Sequence, residues 1–318
     1  MWDAMRLSRS VAIRWSIALA ATLAIAACQA SAGSSAAPAS GGASPVASRP
    51  GALDVVTTTT VFADIVQNVG GSRISASSII PAGVGPEDYE PKPDDAVKLA
   101  DAALIVSNGV GLDDFLDRLI SAGTGGATPR LVLGDGIPTI TIDGEANPHF
   151  WLDPTLVRRY YVPAMTAKLA ELDPEGRASY TANAEAYGRK LDELDAELLA
   201  SIAAIPEANR KLVTFHDAFP YFARHVGLEM IGVILANVGQ EPTAAELAAL
   251  VDKVKATGVR AVFSEAQFSP KLAQTLAQEA GIQNVVTTLY TDSLGPAPAD
   301  SYIGLMRWNV DQIVQALT

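Results

Sequence analysis

The stretch PEGRASYTANAEAYGRKLDELDAELLASIAAIP, residues 174–206, decides the fold. Its apolar residues Tyr187, Leu191, Leu194, Leu198 and Ile202 recur at three- and four-residue steps, the spacing of one helix face. Charged residues, among them Arg189, Asp192, Glu193 and Glu197, fill the other face. Proline stands at both ends, at 174 and 206. Proline is accepted in the first turn of a helix and breaks its interior. The spacing therefore predicts one long, stiff helix, roughly 45 Å at 1.5 Å per residue.

Both flanks of this helix alternate strand and helix. On the N-terminal side, residues 53–59 read as a β-branched strand and 61–69 as a helix. A further strand ends at Ile80. Residues 103–107 and 130–133 are strands with a helix over 113–121 between them. On the C-terminal side, strands are predicted at 211–215, 230–235, 260–263 and 285–290, with helices between. Two of those helices carry start signals. Thr243 with Glu246 forms a capping box, and Ser269 before Pro270 reads as an N-cap with a first-turn proline. Alternating βα units imply parallel sheets covered by helices. The expected fold is α/β. It has two βα domains, residues 53–173 and 206–318, joined by one long rigid helix over 174–205.

The residues ahead of 53 read as export machinery. Arg6, Arg9 and Arg14 precede an apolar run over 15–27 that is too short to span a bilayer comfortably. Ile25-Ala26-Ala27-Cys28 places small residues before the chain's one cysteine, as in a bacterial lipobox. The expected arrangement is a signal peptide over 1–27, lipid on Cys28 and a tether over 28–52. The plainer alternative is an ordinary signal peptide cut after Ala27. Met5 is an alternative start. Residues 29–52 are Ala, Ser, Gly and Pro with no hydrophobic period, a composition that cannot bury enough to fold. As a coil they reach roughly 27 Å. The body is thus expected on the extracytoplasmic face of the membrane, facing either the periplasm or the exterior.

Net charge is −12, and it becomes −14 once residues 1–27, with three arginines against one aspartate, are removed. An acidic body argues against nucleic acid as a partner and suits cation capture. A single cysteine allows no internal disulfide.

In open α/β sheets, ligands bind beyond the carboxyl ends of strands. His216, in Thr214-Phe215-His216-Asp217, follows one predicted strand, and Asp292, in Tyr290-Thr291-Asp292-Ser293-Leu294, follows another. His149 lies in Asn147-Pro148-His149-Phe150-Trp151-Leu152-Asp153-Pro154. Each has a plainer reading: a core or capping histidine for His216, a turn residue for Asp292. His225, the third histidine, reads as a surface residue near a helix end, satisfying the helix dipole. Glu87, Asp88 and Glu90 each offer an oxygen in the loop from Gly83 to Pro91, and spacing does not choose among them.

From the lipobox to the C-terminus the chain resembles the zinc/manganese-binding solute-receptor lipoproteins of ABC importers. The resemblance rests on the phrases around His149, His216 and Asp292 and on Phe263-Ser264-Glu265-Ala266-Gln267-Phe268-Ser269-Pro270-Lys271. It implies metal capture in the interdomain cleft and delivery to an ABC permease, with His149, His216 and Asp292 as ligands. The family's first ligand is normally a histidine in the loop before Tyr-Glu-Pro; here that position is Glu87. The resemblance also puts Glu265 beside the site, holding an imidazole tautomer. Two imidazoles and two carboxylates suit zinc, manganese or ferrous iron. A histidine as third ligand points to zinc first, and the carboxylate count to manganese next. The protein is expected to be monomeric and not an enzyme. The alternatives are an extracellular metal-dependent hydrolase, against which stands the lack of any His-Glu-x-x-His helix, and an adhesin-like surface lipoprotein. With ordinary imidazoles titrating near 6.5, metal affinity is expected to fall below a pH of roughly 6.

The lipobox reading is tested by one substitution. Cys28→Ser is expected to move the protein from the membrane fraction to the soluble fraction. Retention of the variant in membranes would overturn lipidation at this residue.

Overall fold

Parallel strands begin at Leu53, where the computed structural model takes up the βα alternation; it describes residues 51–123, 127–142, 144–235 and 241–318. Cys28, the signal segment and nearly all of the tether lie outside the described residues. The N-terminal half runs β1 (Leu53–Thr57), α1 (Thr60–Gly70), β2 (Ile74–Ser78), α2 (Pro93–Asp101), β3 (Leu104–Ser107), α3 (Phe115–Gly123) and β4 (Arg130–Val132). Its four strands are all parallel, in the order β2-β1-β3-β4. α1 buries Val61, Phe62, Ile65, Val66 and Val69 at helical spacing. A small antiparallel hairpin follows, β5 (Thr141–Ile142) with β6 (Glu145–Ala146).

A 3-10 turn over Phe150–Leu152 leads into α4 (Pro154–Leu156), a π turn over Val157–Tyr161 and α5 (Val162–Leu172). Then comes α6 (Arg177–Ala203), 27 residues long. It starts slightly later than the sequence predicts. Pro174 begins a 3-10 turn instead, and Asp173 caps that turn by accepting from the Gly176 N–H.

The C-terminal half runs β7 (Lys211–Thr214), α7 (Pro220–Val226), β8 (Glu229–Val233), α8 (Ala244–Thr257), β9 (Ala261–Glu265), α9 (Lys271–Ala280), β10 (Asn284–Leu289) and α10 (Tyr302–Leu317). Pairing is parallel, β7 with β8 and β9 with β10, and β7 lies beside β9. The hydrogen-bonded ladders are two pairs rather than one continuous sheet. Irregularities interrupt both, between Leu212 and Val213 and between Val286 and Leu289. Such breaks bend and twist a strand locally.

The capping box of α8 is present in both directions, Glu246 N–H to Thr243 and Thr243 N–H to Glu246. The predicted cap at Ser269 is not. α9 begins at Lys271 behind Pro270, which already has helical dihedrals, and no side chain caps it.

α6 is more than a strut. Tyr187, Leu191, Leu194, Leu198 and Ile202 are all buried, and they belong to one core that also holds Phe62 and Trp151 from the N-terminal half and Phe263, Leu289 and Tyr302 from the C-terminal half. Both halves therefore bury apolar surface against the same helix. Leu194→Ala is expected to cost about 2–5 kcal/mol. Urea unfolding followed by far-UV circular dichroism should show one transition moved to lower denaturant. Two separated transitions would mean that the halves do not share a core.

Candidate metal centre

The loops after the strands bring four side chains to one point. Glu87, His149, His216 and Asp292 each present one donor atom, and these atoms all lie within 4.8 Å of one another. The first two come from the N-terminal half and the last two from the C-terminal half. His149 and Asp292 are nearly or fully buried, as is His216, whereas Glu87 is exposed.

His149 is held by its own turn. The Asn147 carboxamide oxygen accepts from the His149 backbone N–H at 3.0 Å and lies 3.1 Å from Nδ1. An amide oxygen cannot donate, so Nδ1 carries the proton and Nε2 keeps its lone pair. That Nε2 is 3.6 Å from Asp292 Oδ1. One residue earlier, the Pro148 carbonyl accepts from Asn108 Nδ2 at 2.9 Å, and Tyr161, at the end of the π turn, donates to Asn108 Oδ1. Asn108 opens a tight loop in which Gly109, Val110 and Gly111 all have positive φ. A β-branched residue is strained there. Buried Asp113 anchors the loop by accepting from the Asn108 and Gly109 N–H groups and from the Thr58 hydroxyl.

His216 lies in the turn after β7. It precedes the following helix, since α7 starts at Pro220. Its Nδ1 is 3.0 Å from Glu265 Oε1 at the end of β9, and its Nε2 is 3.6 Å from Asp292 Oδ2. The two imidazoles meet edge to face with centroids 5.2 Å apart. Trp151 and Phe268 wall them from water, at 5.1 Å from His149 and 5.3 Å from His216 respectively.

Asp292 follows β10. Its Oδ2 accepts from Gln267 Nε2 and from the Thr291 hydroxyl, both at 2.8 Å. Glu87 sits in a 3-10 turn over Pro86–Asp88. Its loop is tied across the cleft, where the Gly83 N–H donates to Ser293 Oγ at 2.7 Å. A Cβ added at Gly85 would lie 2.8 Å from Glu87 Oε2, so any side chain there would move the Glu87 carboxylate. Glu90 is exposed and outside the cluster, and the side chain of Asp88 is outside the described ones. His225 is elsewhere. Its Nε2 is hydrogen-bonded to Asp195 of α6 and its Nδ1 lies 3.9 Å from Asp153 Oδ1, so side-chain carboxylates are its partners.

The two imidazoles titrate in opposite directions. Burial pushes His149 down to about 3; His216 adds to the push and Asp292 opposes it. Burial also opposes charge on His216, but Glu265, Asp292 and Glu87 together outweigh it and hold that imidazole up at about 10. The 3.6 Å from His149 Nε2 to Asp292 Oδ1 is close to the edge of a tetrahedron, about 3.4 Å when metal–ligand bonds are about 2.1 Å. Two neutral imidazoles with two carboxylates carry a charge of −2, which balances a divalent ion.

Sequence reasoning missed three neighbours of the cluster. Asn147 had a signal, since Asn two residues before a backbone donor commonly forms such a turn. Gln267 and Thr291 had none, because an uncharged amide or hydroxyl in a loop looks like surface.

The family described as zinc-uptake complex component A, periplasmic (ZnuA), matches residues 55–316. The chain belongs to that family. The manganese-binding lipoprotein MntA of Halalkalibacterium halodurans is 33% identical over 272 residues, covering 84% of this chain and 89% of MntA. The iron ABC transporter substrate-binding lipoprotein MtsA of Streptococcus pyogenes is 30% identical, covering 83% of this chain and 89% of MtsA. The periplasmic zinc-binding protein TroA from Treponema pallidum has the same fold, with a TM-score of 0.78 at 29% identity over 84% of this chain and 100% of TroA. Members of the ZnuA family are substrate-binding components of ABC metal importers, and this chain is a binding protein rather than an enzyme. Membership implies a membrane-anchored, extracytoplasmic location with a permease as partner. Among the described residues no helix is long and apolar enough to cross a membrane.

The opposite pKa shifts replace the simple expectation of a fall in affinity below pH 6. A metal at His216 Nε2 displaces the proton there, while Nδ1–H stays on Glu265. His149 is already neutral. From about pH 5, above the ordinary carboxylate range, up to about 10 each metal bound should release one proton, from His216. Affinity should rise about tenfold per pH unit across that window and level off above it. Calorimetry at pH 7 in buffers of different ionisation enthalpy counts the protons. A count near zero would contradict a charged His216.

Proposed function

We propose that the protein captures a divalent transition metal with Glu87, His149, His216 and Asp292 and delivers it to an ABC permease. It works as a monomer held to the outer face of the membrane by lipid on Cys28. Residues 53–173 and 206–318 act as two bodies about the connecting helix, with the cargo between them. The observation that carries this reading is the convergence of four donor atoms, two from each half, within 4.8 Å. Glu265 acts as a positioning residue, keeping the proton on Nδ1 of His216 so that Nε2 faces the metal.

Zinc is the first cargo. Two imidazoles favour it, and zinc outranks manganese and ferrous iron at most mixed nitrogen and oxygen sites. Manganese is the second reading. Glu87 in place of a histidine makes the donor set harder, and the similarity to MntA, itself named for manganese, points the same way. Ferrous iron is third.

A bound metal stabilises only the folded state, by about 4 kcal/mol at a thousandfold excess over Kd. Zinc should therefore raise the melting temperature of the unmodified protein. His149→Ala and His216→Ala should each remove most of that shift, Glu87→Gln part of it, and His225→Ala none. Elemental analysis of protein purified without added metal should find zinc in greatest amount. An equal loss of shift in His225→Ala would refute the ligand assignment.

A further inference from the structure

Gln267 lies in the turn between β9 and α9, two residues past Glu265. Nothing in its own chemistry makes it a metal ligand of note. Its importance lies in the oxygen it touches. Gln267 Nε2 donates to Asp292 Oδ2 at 2.8 Å, and the Thr291 hydroxyl donates to the same oxygen at 2.8 Å. A carboxylate oxygen has about two lone-pair sites, so these two donors use both of them. Asp292 Oδ1 has no hydrogen-bond partner among the described residues, and it is 3.6 Å from His149 Nε2. Each oxygen of this fully buried carboxylate thus lies 3.6 Å from one imidazole, Oδ1 from His149 Nε2 and Oδ2 from His216 Nε2, but only Oδ2 has its lone pairs engaged by protein donors.

We propose that Gln267 is a positioning residue that, with Thr291, holds Asp292 to coordination through Oδ1 alone, and so biases the site against metals that use both oxygens of a carboxylate. This rests on the ligand set proposed above. Zinc is satisfied by four donors in a tetrahedron. Manganese favours six, mostly oxygens, and gains one of them when a carboxylate binds through both. To take Oδ2 from Asp292, a metal must first break hydrogen bonds inside a buried site, where the freed amide has no water to turn to.

Gln267 also lies under the loop that brings Glu87. A Cβ added at Gly85 would stand 3.3 Å from Gln267 Nε2 and 2.8 Å from Glu87 Oε2. The amide therefore sits beside both carboxylate donors, and its Nε2 is given to Asp292. Gln267 Oε1 is buried with no partner among the described residues, so the bond to Asp292 sets the orientation of the amide.

The test compares the unmodified protein with Gln267→Met, which keeps the volume and removes the donor, and with Thr291→Val, which removes the other donor to the same oxygen. Gln274→Met, on α9 outside the site, is the control. Zinc and manganese affinities are measured by competition, and cobalt-loaded protein is examined by visible absorption, which is strong for four-coordinate and weak for six-coordinate cobalt. Gln267→Met should raise manganese affinity relative to zinc on the order of 5- to 10-fold, about one buried hydrogen bond. The cobalt absorption should weaken, and Thr291→Val should change both readouts in the same direction. If Gln267→Met does not fold, the direction of the Thr291→Val shift decides. An unchanged metal ratio and cobalt spectrum, in a protein that still binds one metal, would overturn the proposal and leave the ligand set intact. Unmodified protein that takes up neither zinc nor manganese would overturn the ligand set itself.

Discussion

Glu265 and Asp292 are buried on either side of His216, within 3.0 and 3.6 Å of its two ring nitrogens. Carboxylates removed from water are costly unless a positive charge accompanies them. In the metal-free protein that charge is the His216 imidazolium. With the ligand set proposed above, an arriving divalent ion would take over part of that role and displace the Nε2 proton. On that reading the site would exchange one cation for another, and the surrounding frame would hold like charges together through both states.

The frame does this with bonds placed next to the donors. The Trp151 indole N–H, two residues past His149, donates to the carbonyl of Thr291, the neighbour of Asp292, at 2.8 Å. The Tyr302 hydroxyl closes onto the Trp151 carbonyl at 2.6 Å. Asn147, which orients His149, also donates to the carbonyl of Asp217, the neighbour of His216, at 2.6 Å. Each buried donor is thereby tied to the opposite half within two residues of itself. Behind these bonds lies the core shared through α6. Glu87 alone among the four donors is exposed, on a short turn with Gly83 and Gly85 ahead of it. Three donors are preorganised and the fourth stands at the solvent edge.

Relatives with this fold are named for manganese, iron and zinc. The fold supplies the cleft and the frame without choosing the metal. Choice must come from the donor atoms and their hydrogen bonds: a glutamate where a histidine is usual, and a carboxylate with one oxygen already engaged.

The amino-acid pattern determined a good deal by itself. The stripe from Tyr187 to Ile202 predicted α6 because helix periodicity is a property of neighbouring residues, and strand alternation predicted parallel pairing for the same reason. His149, His216 and Asp292 were legible as candidates because each stands in a loop with a side chain that binds metals, within phrases that resemble a known family. Glu87 could not be separated from Asp88 and Glu90 by spacing; only the turn over Pro86–Asp88, with its loop bonded to Ser293, brings its carboxylate to the others. The hairpin of β5 and β6 has two-residue strands, too short for any period to show. The pairing of Trp151 with Thr291, 140 residues apart, leaves no local trace. Nor does the division of labour between the two imidazoles. Identical side chains are shifted to about 3 and about 10 because burial dominates at His149, whereas Glu265, Asp292 and Glu87 together outweigh burial at His216. Burial and the nearest charge set that difference, and both exist only once the two halves have closed on the same helix.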